Sequence, residues 1–128
     1  MEINSIKIGV NLLDLYPGKI GGMEQYVRNL ILYSCSNNDI IFYLFLNQEN
    51  YLSFVEHPNK ICKIRIDPKN REIQLYSYIE KLNLDIWFCP LLHLDPKYVM
   101  IPSVVTIPDM QHELYPEFFS QEILEWRR

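Results

Sequence analysis

The sequence predicts an α/β domain: a mostly parallel sheet with helices on both faces. Three observations carry that prediction. Apolar runs alternate with amphipathic stretches along the chain, the order that builds an open α/β sheet. Two of the runs, "IKIGVNLL" (6–13) and "IIFYLFL" (40–46), are apolar almost throughout, as strands covered on both faces are. A glycine pair, Gly21 and Gly22, stands between the first such run and the first helical stretch, where α/β proteins place ligand-binding turns.

The elements follow in order. The first strand is 6–13, and 14–22 is a loop with Pro17, Gly18 and the glycine pair. Over 22–38 the helical period sets Met23, Tyr26, Val27, Leu30 and Ile31 on one face, with Glu24, Gln25, Arg28 and Asn29 on the other. "SNND" (36–39) stops that helix, and 40–46 is the second strand. The segment 47–57 has room for a short helix before Pro58. "KICKIRI" (60–66) alternates apolar with polar and reads as a strand near an edge. A second amphipathic helix is predicted over 70–84, with Ile73, Leu75, Tyr76, Ile79 and Leu82 free to pack. Strands follow at 84–90 and 103–109, separated by a loop at 91–102; the second of them reads as central in the sheet. An aromatic-rich irregular segment covers 110–120, and a helix N-capped by Ser120 begins at 121, with Trp126 expected to pack.

The totals bound what such a domain can be. A chain of 128 residues with 48% hydrophobic content suffices for one core and is too short for two. Net charge is −4, from 16 acidic and 12 basic residues without a basic block, which argues against a nucleic-acid partner. Cys35, Cys62 and Cys89 form no C-x-x-C pair, and their odd number argues against a disulfide scaffold; they read as reduced thiols of a cytoplasmic protein, with no metal site. The N-terminal "MEINSIKIGVNLL" lacks the basic start and long apolar core of a signal peptide. No run approaches the length of a membrane span, so the expected place is the cytoplasm, with a peripheral position on the inner face of a membrane as the alternative.

Few residues offer chemistry. Gly21 and Gly22 precede a helix N-terminus, where backbone N–H groups favour a phosphate or a sugar; the alternative is a tight turn and nothing more. The pair is not a G-x-G-x-x-G fingerprint, and the phosphate-loop lysine is absent. Glu24 in the first helical turn is a substrate-binding candidate beside the glycine pair, although it suits the helix dipole and needs no catalytic role. Asp109 ends the fifth strand and His112 follows, so both stand at the ligand-binding edge as candidates for catalysis or for contact with a hydroxylated ligand; turn capping and packing are the alternatives. His93 lies in the loop after the fourth strand, on the same edge, where a lone histidine is more often incidental. His57, beside Pro58, reads as a surface residue.

Two stretches together resemble a family. "GGMEQYVRNL" (21–30), after the strand "IGVNLL", is similar to the opening of family-4 glycosyltransferases, G-G-[IM]-E-x-Y-x-x-x-L. "VVTIPDMQHELYPEFFS" (104–120), with the arginines at the chain's end, is similar to a later stretch of the same family. The resemblance spans about residues 6–128 and implies a Rossmann-like domain, the acceptor-side, N-terminal half of a GT-B fold, incomplete and lacking the donor-binding C-terminal domain. It implies transfer, with retention, of a sugar from a nucleotide-sugar donor to a glycan or lipid-linked acceptor, without a cofactor or an N-terminal metal site, and with no activity of this portion alone. It also implies that Gly21 and Gly22 reach into the interdomain cleft and that Asp109 orders its loop. Many members carry a sugar-contacting histidine just before that aspartate; here Pro108 stands there, and His112 is the nearest histidine.

Two other classes compete. One is a stand-alone, non-catalytic α/β binding or interaction module derived from the same fold. The other is a flavodoxin-like phosphoacceptor domain, which needs an acidic cluster after the first strand, where Asp14 stands alone.

Overall fold

A computed structural model describes residues 5–19, 21–106, 117 and 120–127. The elements are β1 (Ile6–Asn11), α1 (Gly22–Ser34), β2 (Ile40–Leu46), a 3-10 turn (Tyr51–Ser53), β3 (Ile61–Arg65), α2 (Arg71–Lys81), β4 (Ile86–Cys89), β5 (Ser103–Val105) and α3 (Gln121–Arg127). The five strands lie in the order β3-β2-β1-β4-β5, and every neighbouring pair is parallel. The chain is an α/β domain with a Rossmann-like sheet, as its alternation predicts.

Strand periodicity sorts the core into two layers. On one face Val10, Phe42, Leu44 and Leu46 pack with Val27 and Ile31 of α1. On the other, Phe45 and Trp87 pack with Leu75 and Ile79 of α2. Side chains of this kind each contribute about 2 kcal/mol when fully buried. Gly9 makes room for the second layer: a Cβ there would meet Leu84 Cδ1 at 2.6 Å and Trp87 Cζ3 at 2.8 Å. The Trp87 ring in turn meets Phe45 edge-on, with centroids 5.0 Å apart.

Element ends differ from the sequence reading in instructive ways. β1 stops at Asn11, because Asn11 Oδ1 turns back to accept from the Leu13 N–H at 3.0 Å, although Leu12 and Leu13 remain buried. α1 stops at Ser34, with the Cys35 N–H closing on the Ile31 carbonyl. The room allowed for a helix in 47–57 holds a single 3-10 turn. α2 is shorter than 70–84 at both ends: left-handed Asn70 precedes it, and left-handed Asn83 follows its last turn. Tyr26, Ile73, Tyr76 and Trp126, expected to pack, are exposed. Strand β5, expected to be central, is the outer strand among the described residues, whereas β3 lies at the opposite edge as its alternating pattern predicts. Ser120 does cap α3: its Oγ accepts from the Ile123 N–H at 3.2 Å. Among the described residues no helix is long and apolar enough to cross a membrane.

Candidate functional site

The strand order reverses between β1 and β4. From β1 the chain winds outward through β2 to β3, then crosses back to lay β4 on the other side of β1. That reversal opens a crevice beyond the carboxyl ends of the strands, the place where open α/β sheets hold ligands. The loops after β1, β2 and β4 build its rim.

The glycine turn forms one side. Gly21 has φ 65°, a conformation other residues resist, so it is required by the backbone. Gly22 has no such constraint, and a Cβ on it would meet nothing within 4 Å. Its open side borders a cleft of about 340 Å³ that Met23 and Tyr26 of α1 share with Pro90 and Thr106, the residues that follow β4 and β5. Glu24 locks the turn: its Oε1 accepts from the Gly18 N–H at 2.9 Å and its Oε2 from Arg28 Nε at 2.8 Å. The Gly18 hydrogen bond first, and Arg28 second, hold the Glu24 carboxyl below its usual value. Arg28 continues the chain of contacts, donating to the Ser53 carbonyl at 2.9 Å while its guanidinium lies 4.2 Å from the centre of the Phe54 ring.

A neutral bracket holds the first loop from the β2 side. Asn47 and Asn50 bond each other reciprocally: Asn47 N–H to Asn50 Oδ1 at 2.9 Å, and Asn50 N–H to Asn47 Oδ1 at 2.7 Å. Asn50, fully buried, donates through Nδ2 to the Leu12 and Leu15 carbonyls, both at 2.8 Å. Asn47 Nδ2 donates to the Leu13 carbonyl at 2.8 Å. The bracket adds to bonds the loop already makes: the Leu12 carbonyl also accepts from the Leu15 N–H at 3.2 Å, and the Leu15 carbonyl from Asn47 Nδ2 at 3.3 Å.

A charged cluster faces the bracket across the crevice. Arg71, the first residue of α2, bonds both oxygens of Asp14 at 3.0 Å and reaches Asp95 Oδ2 through Nε at 3.0 Å and through Nη2. Asp14 therefore does not stand alone, as its place in the sequence suggests; Asp95 joins it from the loop after β4, with one guanidinium between the two carboxylates. The Asp95 carbonyl accepts from Asn11 Nδ2 at 2.8 Å and from Trp87 Nε1 at 2.9 Å. The Asp95–Pro96 peptide bond is cis. Burial pushes the neighbouring Cys89 thiol up to about 11, which leaves it an inert thiol. Leu92, at φ 80°, is a rare conformation for a bulky residue, and it presents His93 outward. His93 Nε2 lies 3.7 Å from Asp14 Oδ2, and its ring meets Trp126 with centroids 6.1 Å apart.

The candidates thus divide. Gly21, Gly22 and Glu24 share the turn before α1, and His93 joins the Asp14–Arg71–Asp95 cluster. Pro108, Asp109 and His112 lie outside the described residues. Asn11, Asn47, Asn50, Arg71 and Asp95 were missed as site residues. Only Asn47, directly after the apolar run 40–46, carries a sequence signal, since that position falls on the carboxyl edge; Asn11 sits inside a run and the others in loops or at a helix start. Among the described residues no group of three or more histidine, cysteine or acidic side chains is placed to hold a metal ion.

Fold and crevice together define the class: an open, parallel α/β domain with a ligand-type crevice at its switch point. No protein family, no curated protein and no solved structure matches this chain.

Proposed function

We propose that this chain is the acceptor-side, N-terminal portion of a retaining glycosyltransferase of the family-4 type, moving a sugar from a nucleotide-sugar donor onto a glycan or lipid-linked acceptor. The observation that carries the reading is the Gly21–Gly22 turn at the switch point, with Gly22 open to a cleft and the turn held rigid by Glu24. An open glycine at a helix N-terminus lets a diphosphate or a sugar approach the backbone closely. A donor domain facing this edge would complete the cleft and supply the electrostatic half of catalysis, so the chain alone turns over no substrate.

One observation favours the non-catalytic module instead. Glu24, Asp14 and Asp95 are all engaged by guanidinium groups and hold loops in place. The deciding experiment isolates the native species that carries this segment, measures its intact mass, and assays transfer from a panel of UDP-, GDP- and ADP-sugars. The expected result is a longer species whose transfer falls roughly a hundredfold in Gly22→Trp at unchanged thermal stability. A native species of this chain's own length without transfer overturns the proposal and leaves the binding module.

A further inference from the structure

A second cleft lies apart from the one beside the glycine turn. It measures about 560 Å³ and opens beyond the carboxyl ends of β1, β2 and β3. Its size suits a small ligand. The apolar side chains of Leu13 and Ile66, 4% and 3% exposed, form its floor, and Tyr16 lends an aromatic ring to its wall. Gln48 and Glu49 stand exposed at the rim, and Arg71 closes the far side.

The charges on this lining decide what can enter. Arg71 is its cation, and that guanidinium is already committed. Four hydrogen bonds run from its five N–H groups to Asp14 and Asp95. One N–H is left to donate, but two carboxylates outweigh the charge behind it. Glu49 adds a further carboxylate that makes no ion pair among the described residues. Asp14 and Asp95 stand behind Arg71 rather than on the lining, and with Glu49 they set a net negative charge around the arginine that a phosphate brought here would meet. A ring with an apolar C–H face and a hydroxyl edge meets what is on offer: an aromatic platform, one arginine N–H, the Gln48 amide and a free carboxylate.

We infer that this cleft binds the acceptor as an uncharged or amine-bearing sugar ring and discriminates against a phosphorylated one. The inference rests on the glycosyltransferase reading and narrows its acceptor class to the glycan itself rather than a sugar phosphate or a lipid diphosphate head. Glu49 supplies the preference for an amine, and the Asp14–Arg71–Asp95 cluster supplies the exclusion of phosphate.

The test titrates the chain with glucosamine, glucose and glucose 6-phosphate, following backbone amide shifts by NMR. The expected result is shifts confined to Tyr16, Gln48, Glu49 and Arg71, with glucosamine the tightest and glucose 6-phosphate at least about tenfold weaker than glucose. Glu49→Gln should bring glucosamine level with glucose. Asp14→Asn, which lifts one carboxylate from Arg71, should raise glucose 6-phosphate binding; Glu49→Gln serves alone if that variant fails to fold. Glucose 6-phosphate binding as tightly as glucose in this cleft overturns the inference while leaving the transferase reading intact. Absence of any sugar from the cleft also overturns it, and the native-species assay then decides the transferase reading separately.

Discussion

The two loops that meet at the crevice are held by opposite means. The loop after β1 is bracketed by Asn47 and Asn50, neutral amides that donate to the carbonyls of Leu12, Leu13 and Leu15. The loop after β4 is held by Asp95, whose carboxylate takes Arg71 and whose carbonyl takes Asn11 and Trp87. The first device is buried, with Asn50 at 0% exposure; the second is half-exposed, with the Arg71 side chain at 32%. Burial sets the choice of chemistry. A neutral amide can be desolvated if each hydrogen bond is made, whereas a buried ion pair carries a desolvation cost that often exceeds its Coulombic gain. The charged device therefore lies where water still reaches it, and where it can also set the electrostatics of the cleft.

The comparison yields graded expectations. Asn50→Ala should cost the most, about 3 kcal/mol in a urea-denaturation measurement, because two hydrogen bonds to loop carbonyls and the acceptor of the Asn47 N–H are lost together. A loss under about 1 kcal/mol would mean that the bracket is dispensable. Arg71→Met should cost less, about 1 kcal/mol, because solvent screens the freed carboxylates. That loss should shrink in about 1 M salt while the Asn50→Ala loss holds steady. Equal salt responses in the two variants would erase the distinction between the loops.

The smallest effect belongs to Glu24. Its folded pKa lies below its ordinary value of 4.5, so its contribution is complete above that value and is lost as pH falls through the folded one. Glu24→Gln should lower stability slightly at neutral pH and flatten the acid side of the stability profile, the two proteins converging as pH falls below about 4.5. A profile of unaltered slope would show that the Gly18 and Arg28 contacts do not couple to folding.

Much of the architecture is legible in the residues. "IIFYLFL" alternates Phe42, Leu44 and Leu46 against Tyr43 and Phe45, and the fold places those sets in opposite layers. Helix faces were less legible: Tyr26 lies at 45% exposure, while Arg28 turns inward over Phe54. Amphipathic counting ranks a tyrosine as core and an arginine as surface, yet an arginine with two acceptors and a ring to cover can take the inner place. The glycine turn was legible because a positive φ leaves a mark on composition. The clefts' polar walls were not.

By itself the sequence determined the strands, the two main helices, the α/β class and the turn that requires Gly21. These depend on periodicity and local conformation, which are properties of neighbouring residues. Only the tertiary structure decided that Arg71 would join Asp14, 57 positions earlier, with Asp95, 24 positions later, and that Asn50 would reach back 38 positions to Leu12. A hydrogen-bond partner is chosen by proximity and by the need to satisfy buried groups, and proximity across such separations exists only once the sheet has set its strand order.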